Sequence, residues 1–475
     1  MKKNLAIVIL LIFSNIYSQE IITTLNNNSL KNKDVFQTVD EINNEITFYF
    51  NNKESTLIVN FNSNFEIKDS LRFSRPEKNS KSIIGFAKKD KFNFLYWTKL
   101  GSNEIIAQKI DLENKIVSQS KFLINYKYER DIIKFSKNNK FYTVSVINNS
   151  NQLKIHIFDG FEKSENIVDI KDIALLNSLK EKVNLYELLD DNFLPFERAF
   201  NPQLIDDRSP VTLTSSAKRI KYYIKNNKLL LTFDNNNIFT YLISIDLDNF
   251  NSRIFSITKP FINETENTLI NSNSIVFNNS IAQIKLDSQQ MFLTFKDFDN
   301  NLIQEYNVLK KDSISFKNSD IIQLGSEFNS KDVRKLENTS QFLRKVSNLN
   351  AGLSFYKMEE KYQVVIGSVS EIKNNNSIYA GMFGISGIIL HHMITNPTYD
   401  NFNSYSNRKV VYINSVFDDY GKFHSDKHKK NAFDKIETYD IKNNSSKTIF
   451  KYFDDYIYAY FDTTKNNYVF RKFKD

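Results

Sequence analysis

Short apolar runs separated by Asn- and Asp-rich turns recur along the chain. In the first example, an apolar run at 46–50 is followed by a turn at 51–54 and by a second apolar run at 56–61. The same layout returns at 92–111, 141–159, 229–246, 291–308, 362–383 and 410–441. Aromatic and β-branched residues with period-two alternation, bounded by turn formers, are typical of antiparallel β-strands. The pattern therefore predicts an all-β protein.

The spacing between these units indicates the architecture. Units begin at 46, 92 and 141, and again at 362 and 410, so that neighbouring units start roughly 46–49 residues apart. Four antiparallel strands with their turns need roughly 40–50 residues, which is the length of a propeller blade. We therefore predict a seven-bladed β-propeller, with six or eight blades as alternatives. We expect the last strands, within 456–475, to pair with N-terminal strands, since closure removes exposed sheet edges.

Two longer gaps in the repeat predict partly helical insertions near 171–218 and 309–353. Apolar residues with helical spacing, at positions 173, 176, 179, 183 and 186, predict that the first insertion opens with an amphipathic helix. In the second insertion, Ser330 is a candidate N-cap for a helix that carries Val333, Leu336 and Val346. We expect both insertions to lie on one rim of the array, where loops can lengthen without disturbing the core.

The chain has ten Gly and no Cys among its 475 residues. The low Gly content disfavours phosphate-binding loops and Rossmann fingerprints. The lack of Cys excludes disulfide frameworks, thiolate zinc sites and Cys nucleophiles. Turns that need positive φ are therefore expected to use Asn, as in the Lys-Asn-Asn sequences at 137–139, 225–227 and 465–467.

Residues 1–18 have the pattern of a signal peptide. Lys2 and Lys3 precede an apolar stretch, and Ser18 is a small residue before the predicted cleavage site, so the mature chain is expected to begin at Gln19. The apolar stretch is shorter than the roughly 20 residues that span a bilayer, and an uncleaved anchor is the alternative. We expect an exported protein, periplasmic or extracellular, with residues 19–475 as one propeller domain. A lipoprotein anchor is excluded because there is no Cys.

The formal net charge of +8 has few implications for partners. Basic residues are spread along the chain and interleaved with Asp and Glu, so we expect no nucleic-acid partner and no transmembrane segment after signal cleavage. The expected partner is an envelope protein or a glycan.

A candidate metal site consists of His424, Asp426 and His428. On an extended segment these alternate positions project to one face. Two imidazoles and a carboxylate can bind zinc or another divalent metal. The alternative is a solvated hairpin loop, because the neighbouring lysines repel a cation. No other cofactor is expected.

A candidate ligand site lies where three of the ten glycines are concentrated, at 381–387, in an apolar stretch followed by His391 and His392. In one interpretation the segment is a loop that lets a ligand approach closely, with His391 or His392 as a polar contact. In the other it is a buried strand pair that needs small residues for packing.

Acidic residues provide a third candidate site. Those in the first insertion are Glu187, Asp190, Asp191, Glu197, Asp206 and Asp207. Glycosidases use two carboxyl groups, one protonated and one ionised. The nucleophile elbow Gly-x-Ser-x-Gly is absent from the sequence. His156 lies in the middle of a predicted strand, and we expect it at the surface.

The sequence favours an exported, non-catalytic binding or scaffold protein of the bacterial cell envelope. This preference rests on the lack of catalytic motifs, because fold alone does not determine function. The alternative is an envelope or secreted hydrolase acting on glycans, with its site on the propeller rim. Acids of the first insertion and of the loop at 418–428 that met in one pocket would favour the hydrolase.

Overall fold

The computed structural model describes eleven stretches of the chain. They are residues 19–40, 43–77, 82–99, 103–125, 127–171, 174–191, 199–263, 269–325, 333–370, 409–440 and 444–475. Residues 1–18, with the expected signal peptide, lie outside them. No helix in these stretches has the length and apolar character needed to cross a bilayer.

The first half of the described chain forms three antiparallel sheets of four strands. Strand β1 (Gln19–Leu25) comes first, followed by a 3₁₀ turn at Asn28–Leu30. Sheet I contains β2 (Asp34–Asp40), β3 (Glu45–Asn51), β4 (Ser55–Phe61) and β5 (Ile67–Ser74). Sheet II contains β6 (Ser82–Lys89), β7 (Phe92–Thr98), β8 (Glu104–Asp111) and β9 (Ile116–Leu123). Sheet III contains β10 (Glu129–Lys137), β11 (Lys140–Ile147), β12 (Gln152–Asp159) and β13 (Glu162–Asp169).

The first insertion and sheets IV and V follow. The insertion contains β14 (Leu175–Leu176), β15 (Lys182–Val183), α1 (Leu185–Asp190), β16 (Gln203–Leu204) and α2 (Leu213–Ser216). Sheet IV contains β17 (Ile220–Lys225), β18 (Lys228–Phe233), β19 (Phe239–Asp246) and β20 (Ser252–Thr258), with β16 at its edge. Sheet V contains β21 (Asn271–Phe277), β22 (Ser280–Leu286), β23 (Gln290–Asp297) and β24 (Leu302–Leu309).

Sheets VI and VII complete the described chain. The strands and helix of the sheet VI region are β25 (Ile321–Leu324), β26 (Val333–Leu336), α3 (Thr339–Val346), β27 (Asn350–Met358), β28 (Lys361–Val369) and β29 (Val410–Phe417). Helix α4 (Ala432–Tyr439) precedes β30 (Ser445–Tyr452), β31 (Asp455–Asp462) and β32 (Asn467–Phe473) of sheet VII. The fold class is therefore the predicted one, an all-β propeller type with seven sheets of four or five strands among the described residues.

These residues form two compact units, each with its own sheets. The first unit comprises the described parts of Met1–Lys78, Asp111–Val117 and Lys430–Asp475, and it contains sheets I and VII. The second unit comprises the described parts of Asn79–Ile110 and Ser118–Lys429, and it contains sheets III to VI and most of sheet II. The assignment of 19–475 to one domain stays a prediction.

Within the first unit, sheet VII is completed by a strand from the other end of the chain. Strand β1 pairs antiparallel with β32, from Gln19 opposite Phe473 to Leu25 opposite Tyr468, with one irregularity. The expected pairing of a C-terminal strand with an N-terminal strand is confirmed. The contact supplies hydrogen-bond partners to an edge of β32 that would otherwise be open.

The first insertion packs against two sheets of the second unit. Strand β16 pairs in parallel with β17, and α2 lies on β27. A Cβ atom at Gly352 of β27 would lie 2.9 Å from Oγ of Ser216 and 3.1 Å from the backbone nitrogen of Ala217. Glycine at 352 therefore allows the close approach of α2. The insertion is not confined to a rim, because it covers the edge strand of sheet IV.

The second insertion also supplies sheet strands rather than only a rim loop. Strand β25 pairs with β29, and β26 pairs with β25, so that the two strands form one side of sheet VI. The order of the sheet is therefore β26-β25-β29-β28-β27. Two residues that were expected in a helix, Val333 and Leu336, lie in β26 instead.

The helices of both insertions are shorter than the periodicity predicts. Helix α3 carries the expected Val346, but its N-cap is Asn338, and Ser330 lies outside the described residues. In the first insertion, Leu176 and Val183 belong to a hairpin, and α1 begins only after the N-cap Asn184. The prediction of an opening helix is wrong because turn-forming residues at 177–180 reverse the chain.

Asparagine occupies many of the turn positions that need positive φ, as the low Gly content predicts. Ten of the nineteen non-glycine residues with positive φ in the described stretches are Asn. Asn138 and Asn139 join β10 to β11, and Asn226 and Asn227 join β17 to β18, all four with positive φ. Two consecutive residues of this kind match the right-handed twist of a tight hairpin.

Aromatic rings form the core of the first unit. Phe48 of sheet I makes edge-to-face contacts with Phe450 and Phe470 of sheet VII, at centroid distances of 5.5 and 5.2 Å. Phe61 also contacts Phe470, at 5.4 Å. All of these rings are buried. The cluster fastens sheet VII to sheet I.

A charged cluster is buried between sheets IV and V of the second unit. Asp234 accepts from Nζ of Lys221 and of Lys259, both at 3.0 Å, and all three side chains are fully buried. Burial alone would raise the pKa of Asp234, but the two ammonium groups outweigh it and hold that pKa far below its ordinary value. Burial lowers the pKa of Lys259 to about 8. One carboxylate thus compensates two cations.

Replacing Phe470 with Ala tests the aromatic core. We expect Phe470→Ala to lower the free energy of unfolding by about 3–5 kcal/mol, because a buried ring is replaced by a cavity. The control is Ile67→Ala, since the Ile67 side chain is 53% exposed and its loss is expected to cost less than about 0.5 kcal/mol. Urea denaturation followed by circular dichroism measures both, and equal losses would contradict the assignment of Phe470 to the core.

Substitutions at Asp234 and at Lys259 test whether the Asp234 carboxylate stabilises the buried cluster by balancing its charge. Asp234→Asn leaves two buried ammonium groups without a counter-charge, so we expect a loss of about 3–5 kcal/mol in unfolding free energy. Lys259→Met leaves a neutral Lys221–Asp234 pair, and we expect a smaller loss. Thermal and urea denaturation compare the two variants. A Lys259→Met loss as large as that of Asp234→Asn would show that Asp234 does not balance the cluster.

Candidate functional site

An open groove of about 990 Å³ lies in the second unit, lined mainly by turns and strand ends of sheets IV and V. Sheet III contributes residues 167–169. Sheet IV contributes Lys225, Asn226, Lys228, Leu230, Ser244, Asp246, Phe255 and residues 249–253. Its volume lies at the upper end of the range for small-molecule sites, roughly 300–1,000 Å³. The groove therefore has enough volume for a small-molecule ligand.

The turns hold their positions through local hydrogen bonds. Oδ1 of Asp246 accepts from the backbone nitrogens of Asp248 and Asn249, at 2.9 and 3.2 Å. Oδ1 of Asn227 accepts from the side-chain amide of Asn138 in sheet III, at 2.8 Å. These bonds fix the turns at the rim of the groove.

An aromatic pair forms the apolar part of the groove. The rings of Phe255 and Phe298 lie with centroids 5.8 Å apart and with their planes inclined by 45°. Both rings are half-buried and pack on the core of the second unit, so each leaves part of its surface at the groove. Phe250, with positive φ, adds a third ring from the turn between β19 and β20.

The polar part of the groove is rich in primary amides and balanced in charge. Its amides belong to Asn226, Asn249, Asn251, Asn278 and Asn279. Its cations are Lys171, Lys225, Lys228 and Arg253, and its carboxylates are Asp169, Asp246 and Asp299. Lys225 pairs with Asp207 outside the groove, at 2.8 Å, which leaves three cations and three carboxylates.

One acid of the first insertion, Asp207, and one of the 418–428 loop, Asp419, act electrostatically on the same tyrosine, Tyr362. Burial raises the pKa of Tyr362 to about 12, and the charges of Asp419 and Asp207 add to the effect. Each of these carboxylates is held by a lysine: Nζ of Lys225 lies 2.8 Å from Asp207, and Nζ of Lys357 lies 2.8 Å from Asp419. The two carboxylates that act on Tyr362 are thus both ion-paired.

Three other acids of the first insertion have structural contacts, whereas Asp190 is exposed at the end of α1. Asp206 is buried and forms a salt bridge with Arg208. Burial alone would raise the pKa of Asp206, but the guanidinium group of Arg208 outweighs it and lowers that pKa. Glu187 completes the capping box of α1, and Asp191 accepts from Ser178 and Asn235. Glu197 lies outside the described residues.

The three residues of the candidate metal site have protein partners. Nε2 of His424 lies 3.2 Å from Oδ2 of Asp418, and Asp426 forms an ion pair with Lys361. His428 also has a contact of its own. No group of three or more His, Asp or Glu side chains in the described stretches is arranged to hold a metal ion. The divalent-metal site at His424, Asp426 and His428 stays a prediction.

The candidate ligand site at 381–392 lies outside the residues that the structure describes. His391 and His392 therefore stay predictions as ligand contacts. The groove was not among the sequence-based candidates, although its turns were recognised as turns. The available signal was the repeated pairing of Asn with Lys or Phe at two turns of sheet IV, at 225–228 and 249–250.

His156 is buried, which corrects the expectation of a surface position. Its Nε2 atom donates to Oε1 of Glu129 at 3.1 Å, and its Nδ1 atom lies 3.4 Å from Oε2 of Glu165. Lys154 lies near both carboxylates, at 3.8 and 3.3 Å. The prediction was wrong because the sequence does not show that Glu129 in β10 faces the same side of sheet III as His156 in β12.

Comparisons with known proteins give no family. No protein-family model matches the chain, and no curated protein matches it. Three similar solved structures are AofleA from Arthrobotrys oligospora, dihydro-heme d1 dehydrogenase NirN and TolB from Acinetobacter baumannii.

All three structural similarities are distant. AofleA is 8% identical with a TM-score of 0.24, over 74% of this chain and 83% of that chain. NirN is 8% identical with a TM-score of 0.28, over 70% and 62%. TolB is 11% identical with a TM-score of 0.24, over 61% and 63%. This chain therefore spans less than two thirds of NirN and TolB, and these similarities carry no argument about function.

Removing His156 tests its role as a buried structural partner. We expect His156→Ala to lower the free energy of unfolding by about 2–3 kcal/mol, because buried Glu129 loses its hydrogen-bond donor. The matched control, Glu165→Ala, removes the more exposed carboxylate and is expected to cost less than about 1 kcal/mol. Urea denaturation at pH 7 measures both losses, and a stable His156→Ala variant would contradict the structural role.

Proposed function

We propose that the chain is an exported, non-catalytic binding protein of the bacterial cell envelope, with the groove of sheets IV and V as its binding surface. The groove is the observation that carries the proposal. It combines aromatic rings, amides and charges of both signs in one concave surface. The signal-peptide pattern of residues 1–18 supports export.

The ion pairs around Tyr362 argue against the glycan-hydrolase alternative. A glycosidase needs one carboxylic acid that holds a proton and a second that is ionised. Asp207 forms an ion pair with Lys225 of β17, and Asp419 forms one with Lys357 of β27. The contacts set neither carboxyl group apart as an acid or a nucleophile, and they fix the two loops against β17 and β27.

A comparison of turnover and binding tests the proposal. The full chain is produced in a bacterial host and recovered from the periplasm, and its intact mass is expected to correspond to a start at Gln19. The protein is then incubated with envelope glycans, and product formation is followed by mass spectrometry. We expect no turnover above the level of the Asp207→Asn/Asp419→Asn double variant, and equal glycan retention by both proteins.

Two outcomes would overturn this proposal. Turnover by the wild type that falls at least about 100-fold in the double variant would establish a carboxylate-dependent hydrolase. Retention of the full-length precursor in the cytoplasm would contradict export. Deletion of residues 1–18 provides the control for localisation, since that variant is expected to remain cytoplasmic.

A further inference from the structure

We infer that the groove binds an uncharged oligosaccharide. This inference rests on the proposed binding function and names the ligand class for the same surface. Three features of the groove carry it: a set of primary amides, a half-buried aromatic pair, and charges that balance.

The amides match the hydrogen-bonding pattern of sugar hydroxyls. A hydroxyl group donates one hydrogen bond and accepts others, and a primary amide offers a carbonyl acceptor beside an NH₂ donor. Neighbouring hydroxyls on a sugar ring can therefore bind both ends of one Asn side chain. The side chains of Asn226, Asn251, Asn278 and Asn279 line the groove, and all four residues are exposed.

The aromatic pair, Phe255 and Phe298, provides an apolar surface for the faces of a sugar ring. A sugar ring presents C–H groups on its faces, and an aromatic ring offers a flat apolar surface with a negative electrostatic potential above it. Phe255 and Phe298 lie side by side at the groove, and the core of the second unit packs behind them. Because this packing fixes both rings, little side-chain entropy is lost on binding.

The charge balance favours a neutral ligand over an acidic one. Lys228 and Arg253 have no ion-pair partner among the described residues, and neither has Asp299. Lys171 lies 3.9 Å from Asp169, and the carboxylate of Asp246 is held in its turn. Charges of both signs supply donors and acceptors for hydroxyl groups but create no net attraction for a polyanion.

The shape of the groove favours a glycan over a protein surface. Stable protein interfaces bury roughly 800 Å² on each partner around an apolar centre. The groove is concave instead, and its aromatic rings are set among amides and charged groups. Its volume of about 990 Å³ suits several linked sugar units better than a single one.

Calorimetry with defined oligosaccharides tests the inference. The mature protein is titrated with four neutral hexaoses (cello-, manno-, malto- and chitohexaose) and with an acidic hexagalacturonate. We expect at least one neutral hexaose to bind at one site, with an affinity that changes less than twofold when the salt concentration is raised. We expect Phe298→Ala and Asn251→Ala each to weaken this binding at least tenfold.

A matched aromatic control distinguishes the groove from general surface adhesion. Phe261 belongs to the same unit, is 82% exposed and does not line the groove, so Phe261→Ala is expected to bind as the wild type does. Because Phe298 also packs on the core, melting temperatures are measured for every variant. If Phe298→Ala is unstable, Asn251→Ala still tests binding at the groove, because the Asn251 side chain is exposed and its removal is not expected to destabilise the fold.

The possible results separate this inference from the proposed function. Failure of all four neutral hexaoses to bind, or equal weakening by Phe261→Ala and Phe298→Ala, would overturn the inference. Tighter, salt-sensitive binding of hexagalacturonate would also overturn it, while leaving a non-catalytic binding function in place. Cleavage of any hexaose, detected as shorter products, would instead overturn the proposed function.

Discussion

Unpaired backbone groups along the edges of β-sheets are the constraint on which this structure depends. A buried N–H or C=O group without a hydrogen-bond partner is costly, and an exposed edge invites pairing with other chains. Three strands from outside the local repeat meet this constraint: β1 lies along β32, β16 along β17, and β25 along β29. The two insertions and the N-terminal strand are therefore parts of the sheets rather than additions to them.

Local sequence patterns explain how much of the fold could be predicted. Period-two alternation identifies the strands, and the unit length identifies the blades, because both are encoded within a few dozen residues. The Asn pairs at 138–139 and 226–227 predict tight turns for the same reason. Edge pairing is not local: nothing in the sequence of Gln203–Leu204 shows that it lies along β17. The helical spacing at 173–186 was misleading, because the turn at 177–180 determines the local structure.

The sites were harder to predict than the fold because each depends on partners that are distant in sequence. Asp207 and Asp419 stand out as acids, but their lysine partners come from β17 and β27. His156 resembles a surface residue until Glu129 is placed beside it. The groove shows the same limitation. Its turns are evident one by one, but their arrangement around Phe255 and Phe298 depends on how sheets IV and V pack.

The pairing of β1 with β32 has a consequence for the order of folding during synthesis. Gln19 meets Phe473 across roughly 450 residues, whereas sheets III to VI each form from a continuous stretch. Domains fold as the ribosome releases them, so these sheets can form while β32 has not yet been made. A nascent or prematurely terminated chain would keep the edge of β1 open and accessible to chaperones and proteases. Sheet VII therefore becomes complete only after β32 has been synthesised.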